Sequence, residues 1–306
     1  SLKSMITKSK IIFAAQDPGG FDAISPVIKI LKKRDDFAVV VFLRGKSQDF
    51  GREQKIKYID ANKMAVVDMQ KKISKIDPSL IFTATSGGPS IEKEMVEIAK
   101  AGKIMTVGIV DYWSNYKKRF GENLEYLTDY VLAIDNKMKD GMVAEGIPGD
   151  KIFITGNPHF DVFSVIKNVQ GDKKSIVFFS QPFSEQMSKD FNEVKIFGDI
   201  VEAIEEICPE KEVIVKFHPK EENHKKLDEI IKRSKLNIKI EEKLKAGDLS
   251  RVAGLVVGIN SMALFDASLM QKNVLSYQPG KDKNSDSLVS NGYGWSRPVY
   301  KKDNLS

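Results

Sequence analysis

The 306-residue sequence is poor in the residues that staple or metallate a fold: it has one cysteine and three histidines. A single thiol excludes an internal disulfide framework and fits a reducing compartment. Cys208, just before Pro209, reads as a small packing residue. His159, His218 and His224 lack the spacing of a zinc motif, so no metal site is expected. No stretch approaches the ~20 apolar residues of a membrane span. No apolar run of signal-peptide length precedes the first strand, and Met5 reads as the natural start. G-x-G-x-x-G, the Walker loop, the G-x-S-x-G elbow and a D-x-D at a strand end of the first half are all missing. NAD is therefore not expected, and neither is any other cofactor.

Neither sign of charge dominates, with 48 Lys and Arg against 42 Asp and Glu, a net +6. Short basic groups such as Lys32-Lys33-Arg34 and Lys117-Lys118-Arg119 read as solvated helix faces. The excess leaves room for an anionic or membrane-associated acceptor. Basic arms and interleaved aromatic stripes are missing, so nucleic acid is not an expected partner. The expected location is cytoplasmic, with a peripheral place at the inner membrane surface left open.

What is present is alternation. A chain of this length suggests two domains, and short apolar runs alternate with amphipathic stretches twice over. Ile11–Ala15, Phe37–Leu43, Ala65–Val67, Leu80–Ala84, Ile104–Val110, Tyr130–Ile134 and Lys151–Gly156 read as strands of a first sheet. The pattern restarts after a polar stretch at Gln170–Lys174, with strands at Ser175–Phe179, Val213–Phe217, Ile238–Ile240, Leu255–Gly258 and, as the last, Val274–Tyr277. A long helical region is expected over Phe183–Cys208, and the stretch after Tyr277 carries no pattern of a long final helix. The expected fold is α/β, with two Rossmann-like doubly wound domains facing a cleft, residues 1–165 and 166–306. Ligands of such sheets sit beyond the carboxyl ends of the strands, so the loops after strands are the ones to search.

In the second half, Phe217-His218-Pro219-Lys220 follows one strand and Gly258-Ile259-Asn260-Ser261-Met262 leads from another into a helix. Free backbone N–H groups and the helix dipole at Ser261 favour a phosphate. His218 can donate to a phosphate oxygen. Asp266, about a turn and a half further along the helix, can accept from the hydroxyls of a ribose. The same residues also suit plainer roles, Ser261 as a helix cap and Asp266 as a solvated helix residue. His218, Pro219, Lys220, Asn260, Ser261, Met262 and Asp266 form the candidate donor site.

Phe217-His218-Pro219 resembles the His-Pro motif of bacterial glycosyltransferase-B enzymes, such as bacterial sialyltransferases and the CDP-glycerol glycerophosphotransferases of teichoic-acid synthesis. The run from Gly258 to Ala267 is similar to the serine-to-acid helix start of those families and of the UDP-N-acetylglucosamine 2-epimerases, which share the fold. Asp266 stands where glutamate is more frequent. The run from Gly146 to Pro158 resembles the passage that ends the first domain in this superfamily. The resemblance implies the two-domain glycosyltransferase-B fold, donor phosphates on the histidine and serine, and a ribose on the acid.

In the first half, Gln16-Asp17-Pro18-Gly19-Gly20 follows the first strand. Gly19 and Gly20 allow close approach of a ligand or backbone, and Asp17 is the candidate general base, or else an ordinary turn residue. Ser86 and Gly87 lie in a second small-residue loop at a strand end, which also suits a capped helix start. Asp111, Trp113, Asn115 and Arg119 fall in a segment rich in aromatic, amide and basic groups, an acceptor platform or a cover for a sheet edge. The expected function is a metal-independent glycosyltransferase, or a phospho-polyol transferase, using a nucleotide-linked donor in cell-surface polysaccharide or glycolipid synthesis. The rivals are a UDP-N-acetylglucosamine 2-epimerase and a non-catalytic two-lobed sugar- or nucleotide-binding protein.

Overall fold

The computed structural model describes residues 8–164, 172–181, 192–218, 221 and 224–305. The chain divides into two compact units, Ser1–Val162 and Phe163–Ser306, each built on its own sheet.

The first unit alternates β1 (Ser9–Ala15), α1 (Pro18–Leu31), β2 (Phe37–Leu43), α2 (Ser47–Glu53), β3 (Ile59–Asp60), α3 (Val66–Ile76), β4 (Leu80–Thr83), α4 (Ile91–Gly102), β5 (Met105–Ile109), α5 (Tyr116–Phe120), β6 (Tyr130–Ala133), α6 (Asn136–Ala144) and β7 (Ile152–Ile154). The strands pair in parallel in the order β3-β2-β1-β4-β5-β6-β7. β1 shows why its sequence is apolar without alternation. Ile11, Phe13 and Ala15 join Phe21, Ile24 and Ile28 of α1 on one face, while Ile12 and Ala14 join Met69 and Ile73 of α3 and Ile91 and Met95 of α4 on the other. A strand buried on both faces has no polar side to show.

The second unit follows a short helix, α7 (Asp161–Ser164), with β8 (Asp172–Phe179), α8 (Glu193–Ile207), β9 (Glu212–Lys216), α9 (Asp228–Arg233), β10 (Asn237–Ile240), α10 (Ala246–Val252), β11 (Ala253–Gly258), α11 (Met262–Leu269), β12 (Val274–Tyr277), α12 (Val289–Gly292) and β13 (Arg297–Val299). The parallel order is β10-β9-β8-β11-β12-β13. Ile196, Phe197, Ile200 and Ile204 of α8 pack on Ile176, Phe178 and Val257. A Cβ on Gly258, the next residue, would meet Leu264 of α11 at 2.7 Å, which places α11 on the opposite face. Each sheet is thus doubly wound, as expected from the repeated alternation.

Two elements depart from the sequence reading. Ala65–Val67 is not a strand: Ala65 caps α3, whose Met69 and Ile73 are buried while Val66 and Val67 are 41% and 59% exposed. The helical period of Met69, Ile73 and Ile76 overrides two β-branched residues, and the two-residue β3 pairs with Phe42 and Leu43 instead. The sheet also does not end at Tyr277, because β13 pairs with β12. The intervening loop folds around Asp286, whose carboxylate accepts from Gln278 Nε2 at 2.7 Å, Tyr300 Oη at 2.7 Å, Asn291 Nδ2 at 2.8 Å and the Leu288 N–H at 2.8 Å. Burial and that bond push the Tyr300 hydroxyl up to about 12. Of the expected helix over Phe183–Cys208, Glu193–Ile207 is helical, and residues 182–191 lie outside the described ones.

Gly20 marks the tightest helix–sheet approach beside the first loop, since a Cβ there would stand 2.6 Å from the Cβ of Ala84. Both atoms are fixed by backbone, so nothing flexible can yield. Gly20→Ala should therefore destabilise the protein by about 1–3 kcal/mol, measured by urea unfolding. An unchanged midpoint would mean that α1 slides on the sheet at no cost.

Candidate functional site

In both sheets the strand order reverses beside the first strand of the unit, between β1 and β4 and between β8 and β11. Helices after those strands leave to opposite faces, which opens a crevice at the carboxyl edge where ligands of such sheets bind. The loops at these two points carry the candidate residues.

In the first unit, Asp17 is the N-cap of α1 but makes no side-chain cap bond. It is exposed. With Ser86, Gly87, Asp111, Asn115, Lys118 and Arg119 it lines a cavity of about 170 Å³. Arg119 is held from three sides: its Nη1 lies 2.8 Å from Asp111 Oδ1 and 2.9 Å from the Thr85 carbonyl, and its Nε donates to the Ser114 carbonyl at 3.2 Å. The pair is largely buried, with side-chain exposures of 12% and 18%. The other Asp111 oxygen sits 2.6 Å from where a Cβ on Gly19 would stand, so a larger residue there would have to displace the carboxylate that Arg119 holds. Gly20 makes the helix–sheet contact with Ala84 already described.

Trp113 is oriented differently from an open platform. Its indole N–H donates to Asp135 Oδ2 at 2.8 Å, and its ring stacks on Phe160 with centroids 6.3 Å apart. Close to Phe160, burial lowers the pKa of His159, a shift that Asp22 on α1 partly offsets. Burial is also what raises Asp22.

Sequence reasoning passed over the group beneath these loops. Glu92, in the first turn of α4, is only 3% exposed. Its Oε1 accepts the Gln16 N–H at 2.8 Å and the Ser86 hydroxyl at 3.1 Å, joining the loops that follow β1 and β4. Burial raises its pKa above the ordinary 4.5, against donors that lower it. An acidic residue just after a serine cap reads as a complement to the helix dipole, and that hid it.

In the second unit, Ser261 is the N-cap of α11 and again makes no side-chain cap bond. Its Oγ is buried with no hydrogen-bond partner among the described residues. Asn260 is fixed across the crevice by Gln181, which accepts its N–H at 2.8 Å and donates to its Oδ1 at 2.9 Å, and by Ser287 at 2.5 Å. Met262 is 38% exposed at the helix start, and Asp266 lies half-buried on the same helix. The His218 N–H donates to Glu221 Oε2 at 2.5 Å. Pro219 and Lys220 lie outside the described residues.

Glu221 is a second organising carboxylate. It also accepts the Ser180 hydroxyl at 2.9 Å and pairs with Lys226, which pairs in turn with Glu193. The His218-x-x-Glu221 spacing was the available signal. Among the described residues no three His, Cys, Asp or Glu side chains come together as a metal cluster, and no helix is long and apolar enough to cross a membrane.

The family model for alpha-2,8-polysialyltransferases (POLYST) matches residues 68–274. No curated protein matches in sequence. In structure, the UDP-GlcNAc 2-epimerase of Methanocaldococcus jannaschii matches with a TM-score of 0.71 at 16% identity, over 97% of this chain and 90% of that one. The Neisseria meningitidis UDP-GlcNAc 2-epimerase bound to UDP-GlcNAc matches with a TM-score of 0.69 at 14% identity, over 97% and 89%. An Anabaena protein in complex with UDP and glucose matches with a TM-score of 0.57 at 13% identity, over 96% and 86%. These likenesses establish the glycosyltransferase-B type fold of the chain.

Two stability measurements follow from the geometry. Ser261→Ala removes a buried hydroxyl that bonds to nothing described, so ligand-free stability should stay level or rise. Asn192→Ala deletes the cap whose Oδ1 accepts the Lys195 N–H at 2.8 Å and should cost about 1 kcal/mol. Equal losses in urea unfolding would make Ser261 an ordinary cap.

Glu92→Gln tests the buried acid. Its folded-state pKa lies above the unfolded one, so native protein binds the extra proton as pH rises past 4.5, and wild-type stability falls with pH up to the folded value. Glu92→Gln should lack that decline. Parallel stability–pH curves for the two proteins would show that Glu92 ionises freely.

Proposed function

The chain belongs to the alpha-2,8-polysialyltransferase family, and from that premise we propose that it is an inverting, metal-independent transferase that moves a sialic acid from a nucleotide-linked donor to a sugar hydroxyl. The second unit binds the donor. The observation that carries this reading is the Ser261 hydroxyl, buried without a partner among the described residues at the start of an eight-residue helix beside the strand reversal. A phosphate oxygen there receives the hydroxyl and the first-turn N–H groups of α11 together.

His218 donates to the same phosphate, its backbone anchored by Glu221, and Asp266 accepts from the ribose. As the bond from the anomeric carbon to the phosphate oxygen breaks, negative charge grows on that oxygen. The α11 dipole, Ser261 and His218 stabilise it without a metal ion. The first unit binds the acceptor. Asp17 takes the proton of the attacking hydroxyl as that oxygen bonds to the anomeric carbon and the nucleotide leaves. Lys118 and Asn115, which share the cavity with Asp17, meet the polar groups of the acceptor sugar. The product belongs to cell-surface polysaccharide or glycolipid synthesis, and the expected location is cytoplasmic, with an anionic or membrane-associated acceptor.

Calorimetric titration with CMP, CDP and UDP identifies the base. His218→Ala and Asp266→Ala should each weaken the nucleotide that binds by roughly ten- to a hundredfold, the worth of a charge-assisted hydrogen bond. Failure of all three nucleotides to bind, or unchanged affinity in both variants, would overturn the donor site. Asp17→Asn should keep that affinity and lose about 10²–10⁴ in turnover, and excess EDTA should leave wild-type turnover unchanged. Epimerisation of UDP-N-acetylglucosamine without an acceptor would favour a 2-epimerase instead.

A further inference from the structure

Asp17 is exposed and makes no cap bond, so something else must fix the loop that carries it. The residue before it is held by α4 and by the turn that leads into it. The Gln16 N–H reaches Glu92 Oε1 at 2.8 Å, its Nε2 donates to the Pro89 carbonyl at 3.3 Å, and its Oε1 accepts the Ile91 N–H at 3.3 Å. Ser86, which shares the cavity with Asp17, donates to the same Glu92 oxygen. One carboxyl oxygen therefore sets the spacing of two loops across the strand reversal.

The charged groups around Glu92 are engaged elsewhere. Arg44 forms two 2.7 Å bonds to Glu94, Arg119 is on Asp111, and the Lys93 ammonium donates to the Lys118 carbonyl. The second Glu92 oxygen, Oε2, is buried with no hydrogen bond among the described residues. A cavity of about 10 Å³, lined by Glu92, Thr85, Thr128 and Arg119 among others, adjoins the residue and is about the size that holds one water. Gln16 and Ser86 donate to one oxygen, the Ser90 hydroxyl and the residue's own N–H also favour the carboxyl, and Arg44 acts on it only through space while bonded to Glu94. These neutral donors describe a carboxyl that works by its shape and its acceptor oxygen. Burial, which raises its pKa, agrees with that.

We propose that Glu92 is the positioning residue of the acceptor side, holding the loops of Asp17 and Ser86 at their spacing through a buried carboxyl that touches neither substrate. The inference rests on the reading of Asp17 as the base. A clamp that works through its acceptor oxygen makes a specific demand, because glutamine keeps the accepting oxygen and places an NH₂ where Oε2 stood, whereas alanine removes both.

The test compares Glu92→Ala, Glu92→Gln and Asp17→Asn in a transfer assay using the donor of the nucleotide identified above, beside amide hydrogen exchange at Gln16. Glu92→Ala should lower kcat by about 10- to 100-fold, as a misplaced catalytic group does, with donor KM unchanged and the Gln16 amide exchanging faster. Glu92→Gln should restore both kcat and slow exchange. If Glu92→Ala keeps wild-type kcat while Asp17→Asn loses it, the positioning role is overturned. Glu92→Gln as impaired as Glu92→Ala would overturn the clamp through an acceptor oxygen. Should Asp17→Asn keep full turnover, the reading of Asp17 fails on its own, and the Gln16 exchange rates still decide whether Glu92 holds the loop. If the alanine variant does not fold, the glutamine variant decides through its kcat and exchange.

Discussion

Between β1 and β4, and again between β8 and β11, two parallel strands hydrogen-bond to each other while the helices that follow them depart to opposite faces. The loops cannot follow the pairing of the strands that launch them, so each pair separates and leaves backbone polar groups needing partners. This constraint explains where the polar side chains collect. Gln181 and Asn260 close the gap in the second unit by exchanging amide hydrogen bonds. In the first, Glu92 does it from the adjacent helix. Loops released from their neighbours and then re-fastened by single side chains can be shaped for a ligand without disturbing the sheet.

Glu92 and Glu221 solve similar problems with different electrostatics. Each is buried beside a loop that carries a candidate site residue, and each accepts a backbone N–H adjacent to that residue or belonging to it. Glu221 is compensated by Lys226, itself shared with Glu193, so a charged network stands behind His218. Removing one member of such a network leaves the others uncompensated in a poorly solvated place. Glu92 has only neutral donors, and its burial disfavours ionisation. The two units therefore back these loops differently, one with a carboxylate compensated by lysine and the other with a carboxyl held by neutral donors.

The architecture was legible because its signal is repetitive. Runs such as Ile11–Ala15 and Ser175–Phe179 are apolar on both faces, and only a sheet covered on two sides asks for that. The errors came where local preference and period disagreed, as at Val66 and Val67, or where a strand had little apolar sequence of its own. Arg297–Val299 contains a proline and an arginine and is held by pairing with β12, with the neighbouring Tyr300 tied to Asp286. In the candidate site, Ser261, His218 and Asp17 could be found because they follow strands directly. Glu92, Glu221 and Gln181 could not, since a supporting residue is defined by what it reaches across space. Trp113 shows the converse, as an aromatic that looked available to a sugar and is turned toward Asp135 and Phe160.

The cavity beside Asp17 has a charge balance with a consequence for kinetics. Its lining holds Asp17 and Asp111 against Lys118 and Arg119, two of each sign, and Arg119 is neutralised in place by Asp111. Opposed charges so close together cancel beyond about a Debye length, near 8–10 Å at physiological salt. This surface consequently projects little field into solution, and a ligand that reaches it is sorted by directional contacts rather than drawn in from afar. Encounter there is set by ordinary diffusion and orientation, and counter-ions have little to screen.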